Sequence, residues 1–365
     1  MKRQMVAVAV LAVLFAVSAH AQTTQYFLYV TNNGSATVSA YTINLSTGAL
    51  ASAGGSPFTA GSMPLNTVVD PKAKFLYVTN ERSNYIYAYK IISGTGALKA
   101  VSGSPFTAEL NSYAIGIAAD PTTGKFLYVT NAGRNNVSAY TIDQSTGALT
   151  PIGGSPFASG VRPFGMNVDS TGRVYVANSG SNNVSAYTIN PNSGALKAVG
   201  GSPFAAGSSP YGATVDPTGK FLFVTNNGSN NVSAYTINPN SGALKAVGGS
   251  PFTTGSDPYS AAVDRTGKFL FVTNNGSNNV SAYLIDSRTG ALSLIPGSPF
   301  TAGIHPRNLA LDPAGKFVFV ANNGSNNVSA YLIDPRTGAL SAIRGSPFSA
   351  GKQPHGTAVV AVTGP

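Results

Sequence analysis

Pro210-Tyr211-Gly212-Ala213-Thr214-Val215-Asp216, then Lys220-Phe221-Leu222-Phe223-Val224-Thr225-Asn226, then Asn231-Val232-Ser233-Ala234-Tyr235-Thr236-Ile237, then Gly242-Ala243-Leu244 up to Gly249-Ser250-Pro251-Phe252: this stretch decides the fold. It holds four runs of strand length, called A to D here, rich in Val, Ile, Phe, Tyr and Thr. Turn chemistry separates them. Asp216-Pro217-Thr218-Gly219 puts Pro where φ is fixed and Gly where a positive φ is needed, Asn227-Gly228 is a hairpin signal, and Asn238 to Gly242 is a cluster of breakers. No sustained apolar period of helical spacing occurs outside the extreme N-terminus, so the chain reads as all β.

The unit recurs. Gly-Ser-Pro-Phe occurs with its prolines at Pro57, Pro105, Pro156, Pro203, Pro251, Pro299 and Pro347, at spacings of 48, 51, 47, 48, 48 and 48 residues. A strand-rich period of this length is that of a blade array, in which no unit buries its apolar faces alone. Strand B recurs at Tyr29, Tyr77, Tyr128, Tyr175, Phe223, Phe271 and Phe319, and its first copy has no strand A before it. The missing strand lies at the other end, in His355-Gly356-Thr357-Ala358-Val359-Val360-Ala361-Val362. The pattern therefore predicts a seven-bladed β-propeller of four antiparallel strands per blade. One blade is closed by pairing the C-terminal strand with Phe27-Leu28-Tyr29-Val30, which leaves no terminal blade exposed.

Residues 1–21 read as a secretion signal, with Lys2 and Arg3, an apolar run from Met5 to Val17, and Ala19-His20-Ala21 as a small-residue cleavage site. The run is short for a membrane span. Residues 22–365 then form one propeller, expected to be a monomer that is secreted, periplasmic or on the cell surface, with no transmembrane segment once the signal is removed. Cysteine is absent, which excludes thiolate metal sites and disulfide staples and leaves stability to packing and closure. The formal charge of +10 includes Lys2 and Arg3. Lys74, Lys125, Arg173, Lys220, Lys268 and Lys316 each follow the A–B turn. They form either a basic ring facing an anionic surface or, more simply, solvated edges balancing the Asp one turn earlier. No stacking aromatics interleave with them, and nucleic acid is not an expected partner.

Because neighbouring strands are antiparallel, the B–C and D–A loops share one face. There the repeats disagree, as expected where ligand chemistry rather than folding sets the residue. Asn80-Glu81-Arg82 and Asn131-Ala132-Gly133-Arg134 bring charge into B–C loops that are elsewhere Asn, Gly and Ser. In the D–A loops the residue before the strand A Pro position is Met63, Tyr113, Arg162, Ser209, Asp257, His305 or Gln353, and the one after it is Leu65, Ile115, Phe164, Tyr211, Tyr259, Arg307 or His355. One D–A loop is longer and carries Glu109. Glu81, His305 and Arg307 are the candidate catalytic residues, and Arg82, Glu109, Arg134, Arg162 and His355 the candidate ligand-binding residues. Cations beside a carboxylate and imidazoles suit an anionic or carbonyl ligand and movement of a proton; the competing reading is solvated loop variation.

Asn136, Asn183, Asn231, Asn279 and Asn327 each head an Asn-Val-Ser sequon. The plainer reading is that Asn tolerates the left-handed turn conformation and bonds its own backbone. No His, Asp and Glu cluster at metal-ligand spacing, no Gly-rich phosphate loop opening a helix and no nucleophile elbow is found, so neither a metal nor a cofactor is expected. The phenylalanines of Gly-Ser-Pro-Phe read as packing residues between blades.

Tyr-Val-Thr-Asn in strand B, with Asn-Val-Ser-Ala-Tyr and Gly-Ala-Leu after it, is similar to the Tyr-Val-Thr-Asn propellers and to the broader lactonase family that includes 6-phosphogluconolactonase-type propellers. The resemblance covers essentially the whole mature chain. In that family's enzymes it implies a His-Pro-Arg-His stretch in strand A and an Asn-Glu pair in a B–C loop of the same blade. Here His305-Pro306-Arg307 matches the first, with Asn308 in place of the last His, and Asn80-Glu81 matches the second from a different blade. Two functions are therefore expected: a ligand-binding or interaction scaffold for a small anionic or sugar-like ligand or a surface protein or polymer, or a lactone hydrolase at the channel mouth. In the second, Arg307 and Arg82 would hold ligand oxygens, with Glu81 or His305 as general base.

Overall fold

A computed structural model describes residues 24–109 and 113–363; the signal sequence expected at 1–21 lies outside these. The sheets are seven, each in the order A–B–C–D and antiparallel throughout. Blades II to VII open with strands A at Pro64–Val69, Ala114–Ala119, Pro163–Val168, Pro210–Val215, Pro258–Val263 and Pro306–Leu311. Blade I takes strands B, C and D from the N-terminus and strand A from the C-terminus. Thr24–Asn32 pairs with Pro354–Thr363, with Phe27 opposite Val360, Leu28 opposite Val359 and Tyr29 opposite Ala358. The predicted closure is the observed one.

Strand B is the most buried element of every blade. In blade V, Phe221–Asn226 is buried along its whole length, because each face packs on a neighbouring sheet. Tyr175, Ala177 and Val184 of blade IV meet Leu222, Val224 and Tyr235 of blade V in one cluster, and six similar clusters fill the other gaps. The tyrosines add a polar latch. Tyr29, Tyr77, Tyr128 and Tyr175 donate their hydroxyls to the carbonyls of Gly96, Gly147, Gly194 and Gly242, each in the next blade, at 2.9 to 3.1 Å. Strand C tyrosines reach the other way, as in Tyr235 to Ala205 O at 2.6 Å and Tyr41 to Ser349 O at 2.7 Å.

Strand D is not one strand. Leu244–Ala246 and Phe252–Thr253 both pair with strand C, separated by the Gly-Ser-Pro turn. The repeated serine explains the interruption: Ser250 Oγ accepts the Ala234 N–H of strand C at 2.9 Å, and the equivalent bond forms in all seven blades. A buried N–H without its acceptor costs about 1 to 3 kcal/mol. Ser250→Ala is therefore expected to lower the free energy of unfolding by that amount, measured by urea titration; an unchanged midpoint would remove the serine from this role. The phenylalanine that follows is half-buried against the inter-blade cluster, as Phe204 is.

Among the described residues of the basic row on the A–B face, only Arg173 pairs with its preceding Asp. The turn aspartates are buried and spent on backbone: Asp216 Oδ1 accepts the Lys220 and Phe221 N–H groups at 2.8 and 2.7 Å. Several of the cations instead tie one blade to the next. Lys268 Nζ donates to Arg336 O at 2.9 Å and Lys316 Nζ to Ser46 O at 3.2 Å, while the Arg173 guanidinium reaches Pro239 O. Arg173 also meets Asp169 at 4.0 Å, the one ion pair among the described residues.

Candidate functional site at the channel mouth

In all seven D–A loops the residue before the Pro position has a left-handed backbone, with φ between 46° and 53°. Such a conformation is costly for a non-glycine residue, and in five of the loops an asparagine of the preceding blade holds it. Asn135, Asn182, Asn230, Asn278 and Asn326 accept the N–H of Arg162, Ser209, Asp257, His305 and Gln353 at 2.8 to 2.9 Å. The repeated Asn-Asn pairs thus bond the neighbouring blade's backbone rather than their own. The second asparagine of each pair, which heads the sequon, accepts from a buried asparagine of strand B, as Asn231 Oδ1 does from Asn226 Nδ2 at 2.7 Å.

Strand B threonines then fix the residue after the Pro position. Thr31 and Thr130 donate to Leu65 O and Phe164 O at 2.5 and 2.6 Å, Thr225 to Tyr259 O at 3.1 Å, and Thr273 to Arg307 O at 2.5 Å. Thr79 donates likewise to Ile115 O at 2.9 Å, and with five of them clasped in this way the seven residues converge on the axis. Leu65, Ile115, Phe164, Tyr211, Tyr259, Arg307 and His355 all line one cavity of about 420 Å³ at the channel mouth, with Glu81 and Arg162 at its edge.

The next residue inward is small in most blades because the neighbouring backbone is close. A Cβ on Gly165 would lie 2.3 Å from Tyr211 O, and one on Gly356 2.5 Å from Leu65 O. Two blades depart, and their side chains meet: Asn308 donates to Asn66 across the intervening blade I. They line the inner part of the channel, a cavity of about 310 Å³.

The mouth has two chemically different halves. Phe164 stacks on Tyr211 with centroids 4.0 Å apart, and Tyr259 meets Tyr211 edge-on at 5.3 Å. On the other side the Arg307 guanidinium lies 4.6 Å from the centre of the Tyr259 ring, and the Tyr259 hydroxyl is 2.8 Å from His355 Nε2. Burial, with the nearby Arg307 charge, pushes His355 down to about 3, the Leu65 backbone acting weakly the other way. The imidazole is therefore neutral and shares a hydrogen bond with the hydroxyl of Tyr259, whose own pKa burial raises. Arg307 Nε is buried and lacks a hydrogen-bond partner, and Glu81 makes no ion pair among the described residues. Two guanidiniums against one carboxylate leave the cavity net positive, as an anionic ligand requires.

Glu81, Arg162, Arg307 and His355 are thus brought together although Glu81 and Arg307 come from different blades. The other candidates lie elsewhere. His305 is exposed in a neighbouring recess with Lys352 and Gln353, its Nδ1 3.3 Å from Asn275 O. Arg82 lines a side pocket with Glu81, Asn84 and Tyr113. Glu109 accepts from Asn136 Nδ2 at 2.8 Å, and Arg134 is exposed. Sequence reasoning did not single out the Phe164, Tyr211 and Tyr259 arc; its signal was three aromatics in succession at one position of three adjoining repeats. Among the described residues no group of three or more His, Asp or Glu could hold a metal ion.

A histidine held neutral in the fold makes stability depend on pH. Its folded pKa lies below the unfolded value near 6.5, so the unfolded chain binds a proton that the fold does not, and stability falls as pH drops from about 6.5 towards 3. The expected loss at pH 5 is about 2 kcal/mol. His355→Gln keeps an acceptor for Tyr259 and removes the titration. Urea midpoints at neutral and acid pH should then diverge less for the variant than for the parent; parallel curves would contradict the assignment.

The sequence profile described as "Lactonase, 7-bladed beta-propeller" matches residues 18–211, 204–258 and 251–355. The chain belongs to the lactonase family. No curated protein matches this family member. Among solved structures it resembles a candidate 6-phosphogluconolactonase from Bacteroides uniformis, with TM-score 0.79 and 20% identity over 92% of this chain and 99% of that one. It also resembles the periplasmic gluconolactonase PpgL of Pseudomonas aeruginosa, with TM-score 0.79 and 19% identity over 93% and 100% of the two chains. A catalytically inactive virginiamycin B lyase from Staphylococcus aureus is similar at TM-score 0.54 and 14% identity, over 79% and 87%. At these identities the likeness is one of fold, and the site must argue for itself.

Proposed function

We propose that this lactonase-family propeller binds and hydrolyses a sugar-type lactone at the channel mouth. The observation that carries the reading is that Glu81 and Arg307, from separate blades, line one cavity of about 420 Å³, a volume in the usual range for small-molecule sites. Arg307 would hold the lactone carbonyl oxygen and the negative charge that grows there on attack. Glu81 would take a proton from water as the water oxygen bonds to the carbonyl carbon. The ring C–O bond then breaks, the departing alkoxide takes the proton that Glu81 holds, and the product acid loses its own proton to solvent and pairs as a carboxylate with a guanidinium. The stacked Phe164 and Tyr211 offer an apolar face to the C–H surface of a sugar ring.

The leader-like residues 1–21 and the fold of a periplasmic gluconolactonase favour a ligand met outside the cytoplasm. A non-phosphorylated lactone fits that destination better than a phosphorylated metabolite. A second reading, binding without turnover, is favoured by the state of the histidines: His355 is neutral and engaged, and His305 lies outside the cavity.

Ring opening of D-glucono-δ-lactone and of an aliphatic lactone, followed by pH-stat, separates the two when combined with calorimetry of D-gluconate. Ring opening above the buffer rate supports the hydrolase. Saturable gluconate binding without ring opening supports the binding protein, and neither result sinks both.

A further inference from the structure

On the face opposite the mouth, blade II departs from the repeat in four ways, each of which gives up a stabilising feature. Its A–B turn reads Asp70-Pro71-Lys72-Ala73-Lys74. Lys72 stands where Thr123, Thr171, Thr218 and Thr266 donate their hydroxyls to the turn aspartate. Ala73 has φ +57° where the other turns place a glycine, a conformation that only glycine adopts freely. Ile92 replaces the Asn or Asp whose side chain caps the other C–D turns, as Asn238 does for the Asn240 and Ser241 N–H groups. Lys90 lies directly across the sheet from Lys99, a like-charge register that is destabilising, whereas its counterparts are Thr or Leu, such as Thr236 opposite Lys245.

These departures converge in space. Lys72, Ala73, Lys74, Lys90 and Ile92 line one cavity of about 710 Å³, walled on its far side by the end of the closing strand, Ala361 to Thr363. Among the described residues no carboxylate lines it, although Asp143 lies behind Ser145. The related Lys268 and Lys316 spend their ammoniums on carbonyls of the next blade. Among the described residues, Lys72, Lys74 and Lys90 have no side-chain hydrogen bond or ion pair. Local rules broken together around one cavity, with no structural return, are the mark of a functional site.

We propose that this cavity is a second binding site, independent of the mouth, for a small polyanion carrying two or more negative charges on phosphate or carboxylate groups. Three exposed lysines lining one cavity would become charge-assisted donors around such a ligand. Ser93 and Ser145 also line the cavity, their hydroxyls donating to Thr363 O at 3.2 Å and to Asp143 Oδ1 at 2.6 Å. Ile92 and Val362 leave room for a short carbon skeleton between the anionic groups.

Calorimetry of the whole chain with inorganic pyrophosphate, and separately with citrate, at low and at physiological ionic strength tests the proposal. The expected result is saturable binding, weaker at higher salt, of one or both anions; the tighter of the two identifies phosphate or carboxylate as the natural group. Lys72→Ala with Lys90→Thr should weaken it about tenfold or more, while Lys197→Ala, which removes an exposed lysine of blade IV, should leave it within about twofold. If the double variant does not fold, Lys90→Gln alone carries the comparison. Without ligand, Lys90→Thr and Ala73→Gly should each raise the melting temperature, and Lys90→Thr should diminish the further rise that pyrophosphate gives the parent. Absence of saturable heat with both anions, equal weakening by Lys197→Ala, or unligated variants no more stable than the parent overturns the proposal.

Discussion

Glu81→Gln is expected to slow lactone opening by about a hundredfold or more, with little change in substrate affinity. The two side chains have the same shape, so the substitution removes the proton acceptor and leaves the cavity wall in place. General-base catalysis contributes on the order of 10² to 10⁴ in rate. No second acceptor stands ready: His355 is neutral but bonded to Tyr259 through Nε2, and His305 opens into another recess. The loss should therefore appear in kcat, with KM nearly unchanged, in pH-stat assays of the parent and the variant. An unchanged melting temperature would show that the fold is intact. A variant as active as the parent would remove Glu81 from the chemistry and leave the mouth as a binding site. Arg307→Ala should cost about as much, since one oxyanion donor is worth on the order of 10² to 10³, but there both kcat and KM should worsen.

Deleting Pro354 to Pro365 is expected to abolish the folded monomer. The deletion removes the strand that covers Thr24–Asn32, in which Phe27, Leu28, Tyr29 and Val30 are fully buried. Exposing each such side chain costs about 1.5 to 3 kcal/mol. Four of them amount to roughly the whole stability of an ordinary domain, about 5 to 15 kcal/mol. The uncovered strand would also present unpaired backbone groups to other molecules, a route to aggregation. Size-exclusion chromatography and thermal circular dichroism would report this; a monomer with a cooperative transition near the parent's would show that the ring holds without its seal.

How much of this was legible before the structure follows from what a repeat can reveal. Seven copies of one motif made the blade count and the closure readable, since a strand missing at one end and supernumerary at the other has a single topological answer. The same repetition hid the roles of Ser250 and Asn230. Both look like turn residues in the sequence, and only three dimensions place one under strand C and the other under the next blade's loop. At the mouth, charge made Glu81 and Arg307 conspicuous. The ring order put both at the channel mouth, but which candidates share a cavity was not readable, because motifs five blades apart in sequence and two around the ring meet only when all seven residues after the Pro position point at one axis. His305 lines a neighbouring recess, although Arg162, with the same left-handed backbone, lines the mouth cavity, so position in the repeat alone did not separate the two.

The pairing of Thr24–Asn32 with Pro354–Thr363 also sets a clock. The first strand made is among the last to find its partner, and at ribosomal speeds of about 5 to 20 residues per second it waits roughly 15 to 70 s for it. Throughout that interval the nascent chain is an unfinished circle with a sticky beginning, which a holding factor or a passage across a membrane in the unfolded state would have to shelter.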